Sequence, residues 1–289
     1  MSSWKLVPAG IPQGSVLGPP LFLVMVNSLA YQDSWRWKYM DDLTVAESFY
    51  VIQDNSNMQA SSDQIAKYVN DNNMKLNPIK CKEMLVCFQK VLPDIPQITI
   101  GDDKLERVST YKLLGVHVSN NLTWNDHVDA VTKKTTKRMY FIRLLKRAGV
   151  APKELVHIYL ASIRSIIEYA APAWFFPSTG YLIAQLEAIQ RRVLRIIFPC
   201  LKYADALKMA NIPTIEQRLH TISMSYFKQM KSNDHKLNHL FPKHYQNQYS
   251  TRSQAKGIVA VPPARTKRAA NSFIIKASRH FNNELTGKL

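Results

Sequence analysis

The chain has 289 residues with 46% apolar side chains and a formal net charge of +17, which is enough apolar material for one large or two ordinary packed domains and excludes wholesale disorder. Three cysteines, Cys81, Cys87 and Cys200, form no CxxC pair and leave an odd thiol, against a disulfide framework or a zinc knuckle and for a reducing, intracellular compartment, the nucleus among those allowed. No apolar run reaches the roughly 18 to 20 residues that span a bilayer and no basic n-region precedes one, so neither a transmembrane helix nor a signal peptide is expected.

In chain order, the first 124 residues read as mixed α and β. The turn Pro12-Gln13-Gly14-Ser15 leads into a helix over 17–29, and 35–45 holds two strand-like pieces around Asp41-Asp42. Ile65, Tyr68, Val69 and Asn72 fall at helical spacing and predict a helix over 58–72. Residues 82–88 read as a strand. Residues 98–108, interrupted by Gly101-Asp102-Asp103-Lys104, read as a hairpin because Gly and Asp tolerate its turn. A further strand is expected over 111–118.

After Trp124 the pattern turns to long helices. Val128, Val131, Met139, Ile142 and Leu145 make one stripe over 125–148, and Gly149 ends it. Pro152 sits where the next helix begins, with Leu155, Ile158, Tyr159, Ile163, Ile166 and Ile167 on its apolar face. A third helix over 182–198 carries Leu186, Ile189, Val193, Ile196 and Ile197, and Arg191, Arg192 and Arg195 on its other face. Residues 235–270 read as loop or linker before a last helix near 271–283.

The charge is unevenly placed. Residues 1–124 hold 11 basic and 12 acidic groups, whereas 125–289 hold 27 and 9. A near-neutral part followed by a polyanion-binding part is expected, since Lys and Arg gain most by displacing counterions from phosphate backbones. A solvated basic surface or an anionic membrane contact would show the same balance.

Asp41 and Asp42 stand in Tyr39-Met40-Asp41-Asp42 between apolar, strand-like residues. Adjacent side chains on a regular strand point to opposite faces, so only a bend lets both approach one cation. Their oxygens suit Mg²⁺, which takes one or two protein carboxylates and fills its other positions with water and substrate phosphates. Asp102-Asp103, preceded by Gly and followed by Lys, is an internal control that a plain exposed turn explains.

Gly10-Ile11-Pro12-Gln13-Gly14-Ser15-Val16-Leu17-Gly18-Pro19, followed by Tyr39-Met40-Asp41-Asp42, resembles the consecutive palm motifs B and C of reverse transcriptases, in wording closest to non-LTR (LINE-like, Jockey-type) retrotransposons. Further segments resemble the family in its own order. Lys75-Leu76-Asn77-Pro78-Ile79-Lys80-Cys81 is similar to motif D, and Tyr111 to Val116 with Leu122-Thr123-Trp124 to the segment that closes the palm. Glu168 to Trp174, Leu186 to Arg192, and Arg265 to Arg268 with Asn271-Ser272-Phe273 resemble the post-palm region.

The resemblance implies an α+β fold: a partial right-hand polymerase palm over 1–124, a helical thumb-like region over 125–234 and a basic C-terminal region over 235–289. It implies an RNA template, a DNA primer and dNTPs as partners, no membrane, and two Mg²⁺ ions held in part by Asp41 and Asp42. Gln13, Gly14 and Tyr39 would approach nucleotide and template, and Lys80 would act on the departing pyrophosphate as acid or charge partner. Lys134, Lys137, Arg138, Arg191, Arg192 and Arg195 would track nucleic-acid backbones. Trp174 and Tyr169 read as core residues and not as base-stacking platforms.

In the family a further catalytic aspartate lies in motif A, upstream of motif B. Here nine residues precede Gly10 and none is acidic; the first carboxylate is Asp33. Two-metal catalysis uses carboxylates from both places, so the expectation is a truncated polymerase domain that binds nucleic acid but is inactive alone. Two rivals are a degenerate or domesticated nucleic-acid-binding protein and a helical protein-interaction module with an incidental basic face.

Overall fold

Helices and small two-stranded sheets build the α+β fold of the computed structural model, which describes residues 14, 16–30, 35–48, 57–90, 94–243 and 257–287. The chain divides into two units, Met1–Tyr111 and Lys112–Leu289.

In the first unit, α1 spans Gly18–Asn27, with proline in its first turn where a missing N–H costs nothing. β1 (Arg36–Tyr39) and β2 (Asp42–Val45) pair antiparallel with Arg36 opposite Val45 and Tyr39 opposite Asp42. α2 covers Met58–Asp71, and the Glu47 carboxylate accepts from the backbone N–H groups of Asn57 and Met58, both at 3.2 Å. An acidic group there meets both the orphan donors and the positive end of the helix dipole.

The expected strand over 82–88 is reduced to β3, Lys82–Glu83. Its parallel partner is β6, Glu106–Arg107, and Glu83 also takes the Arg107 guanidinium at 2.6 Å. The expected hairpin is present as β4 (Thr99–Ile100) and β5 (Asp103–Lys104), turning at Gly101-Asp102. α2 holds it through the Gln59 amide and the Ser62 hydroxyl, which both donate to the Thr99 carbonyl.

The single strand expected over 111–118 is a hairpin instead, β7 (Thr110–Leu113) and β8 (Val116–Ser119). Leu114 and Gly115 between them have φ of 45° and 87°. Two positive φ values in a two-residue loop match the twist of the flanking strands.

In the second unit α3 spans Asn125–Arg147 and buries Val128, Val131, Thr135, Met139 and Ile142. It packs chiefly on α7, Gly180–Ile197, whose Leu186, Ile189, Val193 and Ile197 are buried. α4 (Pro152–Tyr159), a π-helical turn (Leu160–Arg164) and α5 (Ser165–Glu168) run on from one another. Leu155, Tyr159, Ile163 and Ile167 in them are fully buried. Their four-residue spacing exceeds the 3.6-residue period, so a plain α-helix would rotate them off one face, and the wider π turn offsets that drift.

α6 covers Ala171–Trp174. No element is expected from periodicity between 199 and 234, yet α8 (Tyr203–Ala210) and α9 (Ile215–Gln229) lie there. α9 opens on a capping box: Gln217 N–H donates to Thr214 Oγ1, and Gln217 Oε1 accepts from Thr214 N–H. After a 3₁₀ turn at Asn238–Leu240, α10 (Lys267–Ala270) and α11 (Phe273–Thr286) complete the unit.

Candidate active site and nucleic-acid interface

Met40 and Asp41 form the two-residue turn between β1 and β2. Met40 has φ of +54°, a region that side chains other than glycine occupy at a steric cost. The turn places Asp41 at its tip and Asp42 at the first position of β2, which is the bend the sequence requires if both carboxylates are to face one ligand. Both are exposed. Among the described residues neither has an ion-pair partner.

The other face of β1 fixes the hairpin to α1. Lys38 Nζ donates to the carbonyls of Val26 and Asn27 at 2.9 and 2.8 Å, and Arg36 Nη1 to that of Ala30 at 2.8 Å. These bonds reach carbonyls at and just beyond the helix C-terminus and set cations at its negative end. Partial burial, and secondarily Arg36, pull the Lys38 ammonium below its usual pKa. Tyr68 of α2 joins the same frame, its hydroxyl 2.6 Å from the Met25 carbonyl and 2.7 Å from Ser28 Oγ.

Two free carboxylates on one turn fit a cation that needs only one or two protein ligands. Among the described residues no group of three or more His, Cys, Asp or Glu stands together to hold a metal. Gly14 sits in a turn with φ of +83°, while Gln13 lies outside the described residues. Tyr39 is exposed, opposite Asp42. Lys80 ends the turn after α2, where its backbone N–H donates to the Asn77 carbonyl, and its side chain is exposed, with no ion-pair partner among the described residues. Asp102-Asp103 lies on an exposed turn as expected, with Gly101 supplying the positive φ that Met40 supplies in the other hairpin.

In the second unit Lys134 and Lys137 of α3 are exposed, as are Arg191, Arg192 and Arg195 of α7. Arg191 lies over the Tyr203 ring, 5.0 Å from its centroid. Arg138 is half-buried and donates to the Ser162 carbonyl at 2.6 Å. Lys146 is likewise engaged, reaching the carbonyls of Ile196 and Ile197 at the end of α7. Part of the basic count therefore serves packing.

Trp174 is fully buried, as expected, and donates to the Tyr169 carbonyl at 3.0 Å. Tyr169, expected in the core, is 53% exposed. It follows the end of α5, and its hydroxyl donates to the Leu114 carbonyl at 2.7 Å. A Cβ on Gly115 would lie 3.2 Å from the Tyr169 ring. Two separated motifs of the sequence thus meet, Tyr111 to Val116 and Glu168 to Trp174.

The motif Leu186 to Arg192 divides by face. Leu186 and Ile189 are core, and Gln190, fully buried, accepts from the Tyr159 hydroxyl at 2.7 Å and donates to the Pro213 carbonyl. Glu187 accepts from the Tyr203 hydroxyl and from the N–H of Ile215. Only its two arginines face outward.

Residues 3–118 match the family model described as reverse transcriptase (RNA-dependent DNA polymerase). The chain is 25% identical over 251 residues to the RNA-directed DNA polymerase from mobile element jockey of Drosophila funebris, covering 82% of this chain and 27% of that protein. The jockey polymerase of Drosophila melanogaster is 23% identical over 79% of this chain and 26% of its own length. The probable polymerase from transposon BS of the same fly is 22% identical over 77% and 26%. Over residues 3–118 the chain matches the reverse transcriptase family, and over most of its length it is similar to polymerases of non-LTR retrotransposons.

This chain spans about a quarter of the length of those curated relatives. The matched reverse transcriptase segment contains Gly14, the Asp41-Asp42 hairpin and Lys80, so the exposed carboxylate turn falls inside it. A second model, the N-terminal region of alkylated DNA repair protein alkB homolog 8, matches residues 124–165. That stretch is α3, α4 and the π turn, with none of the candidate catalytic residues. No solved structure matches the chain. No helix among the described residues is long and apolar enough to cross a membrane.

Proposed function

We propose that the chain is the part of an RNA-directed DNA polymerase that carries the second catalytic carboxylate cluster and the nucleic-acid-binding helices behind it. In this reading residues 1–124 belong to the palm, 125–234 to a thumb and 235–289 to a basic C-terminal region. The observation that carries it is the Asp41-Asp42 turn, exposed and without an ion-pair partner among the described residues, within the matched segment.

Asp41 and Asp42 would hold divalent metal, which when bound activates a primer hydroxyl and stabilises charge on the leaving pyrophosphate. Gly14 leaves room for backbone to approach a nucleotide, with Gln13 beside it in sequence. Lys80, an exposed ammonium, can neutralise or protonate the departing phosphate. Lys134, Lys137, Arg191, Arg192 and Arg195 would take phosphates of template and primer, with Arg138 contributing only what its bond to Ser162 leaves.

The test is primer extension by a polypeptide in which this sequence follows the upstream polymerase segment that supplies the remaining aspartate. Asp41→Asn should reduce synthesis by orders of magnitude, and Asp102→Asn should leave it within a few-fold. Equal losses at both positions would remove the special role of the Asp41 turn.

A second reading, nucleic-acid binding without synthesis, is favoured by the placement of charge: the basic excess lies wholly in 125–289. Binding with no extension in the same assay would establish it over the first.

A further inference from the structure

Opposite its buried stripe, α3 carries a second stripe that faces solvent. Lys133, Lys137, Tyr140, Leu144 and Arg147 recur at intervals of four and three residues and share one side of the helix. All five are exposed, and Phe141 beside them is exposed as well. Tyr140 is 55% and Phe141 59% exposed, their ring centroids 5.9 Å apart and nearly perpendicular. Large aromatic rings left in water in the middle of a 23-residue helix do not serve the core.

The charge around them selects the occupant. From Ala130 to Lys153 the sequence has no acidic residue. Lys133 and Lys137 lie on the N-terminal side of the rings and Arg143 and Arg147 on the C-terminal side, all exposed. From residue 133 to 147 the helix rises about 21 Å at 1.5 Å per residue, room for several nucleotides. An apolar protein partner would leave these cations buried without counter-charge, whereas a single strand offers phosphates to the cations and unpaired base faces to the rings.

We infer that the outer face of α3 is a stacking platform for single-stranded nucleic acid, with Tyr140 and Phe141 binding bases and the flanking cations binding phosphates. This rests on the proposed nucleic-acid-binding role of residues 125–289 but adds to it. Charge alone gives affinity for any polyanion, while the rings give preference for exposed bases irrespective of their sequence.

The experiment compares, for the full chain, a thymidine oligodeoxynucleotide with an abasic oligomer of equal length, which carries the same phosphates and no bases. The wild type should bind the thymidine strand at least about tenfold more tightly. Tyr140→Ala with Phe141→Ala should abolish that difference, leaving affinity for the abasic strand and its salt dependence unchanged. Tyr140→Trp should preserve the difference. An unchanged circular-dichroism spectrum and urea midpoint show that the double variant is folded.

A double variant that still prefers the thymidine strand like wild type overturns the platform while leaving the charge-based reading intact. A wild type that self-associates through these rings, losing the association but no base preference in the double variant, overturns it in favour of a second copy. No binding of either oligomer at low salt removes the charge-based reading and the platform together.

Discussion

His127 is 2% exposed in the core of the second unit, its ring 5.2 Å from that of Trp174. Its Nδ1 accepts from the His117 backbone N–H at 3.4 Å, so a proton there would set two donors face to face. Burial, and secondarily His117, hold its pKa at about 4 against 6.5. The unfolded state therefore binds the proton first. Stability from this group is complete above about pH 6.5, falls as the pH drops towards 4, and levels below that, for a loss on the order of 3 kcal/mol. His220 and His280, also lowered by burial, act in the same direction. Urea midpoints should decline across this window, and His127→Phe should flatten part of the decline; an unchanged slope would place the acid sensitivity elsewhere. Glu168 poses the converse case, since it faces Arg164, 3% exposed, at 2.9 Å and Arg218, 44% exposed, at 3.0 Å. Glu168→Gln leaves the buried guanidinium uncompensated and should cost about 3 kcal/mol. Arg218→Gln should cost under about 1 kcal/mol, because its charge remains solvated. Both are measurable by urea unfolding.

The β1–β2 hairpin turns on a residue poorly suited to the geometry. Met40→Gly should leave stability equal or higher, whereas Met40→Val should lower it by about 1–2 kcal/mol, since a β-branched side chain resists positive φ more strongly. Urea unfolding followed by tryptophan fluorescence separates the two, and a valine variant as stable as wild type would mean the turn relaxes freely. Much of this element was legible in advance: strand-like residues flank the aspartates, and adjacent carboxylates imply a bend. The long helices were legible from their stripes, because α3 and α7 bury the positions that recur at 3.6 residues. What escaped lacked such a signal. The β7–β8 turn uses Leu114 where Asn or Asp would have announced it, and Tyr169 looks like a stripe residue until the chain leaves the helix at Glu168. α9 was marked by Thr214-Ile215-Glu216-Gln217, a capping box visible in sequence. The outward rings of α3 were also within reach, since Tyr140 lies opposite Val131 and Ile142 on a helical wheel.

For the whole molecule, the uneven charge makes a quantitative claim. If about four phosphates are neutralised by residues 125–289, the affinity for duplex should fall with salt at a log–log slope of about −3 to −4, and less steeply for single strands. Replacing Lys134, Lys137, Arg191 and Arg195 by Glu should weaken binding and flatten the slope. Lys104→Glu, in the near-neutral part, should do neither. Titrations between roughly 50 and 200 mM salt decide this, and binding indifferent to salt would assign the basic excess to something other than a phosphate backbone.

The π-helical turn at Leu160–Arg164 has a consequence for how chains of this kind can change length. Such a turn holds one residue more than the α-helical turn it replaces. Taking one residue out of 160–162 converts the four-apart pattern of Leu155, Tyr159, Ile163 and Ile167 into steps of four, three and four, the stripe of an ordinary helix. Both flanks would then keep their partners while the helix shortens by one position. Among natural variants of this chain, a one-residue gap should therefore be tolerated within 160–162, whereas the same deletion in the middle of α7 would turn every following core side chain by about 100° away from its neighbours.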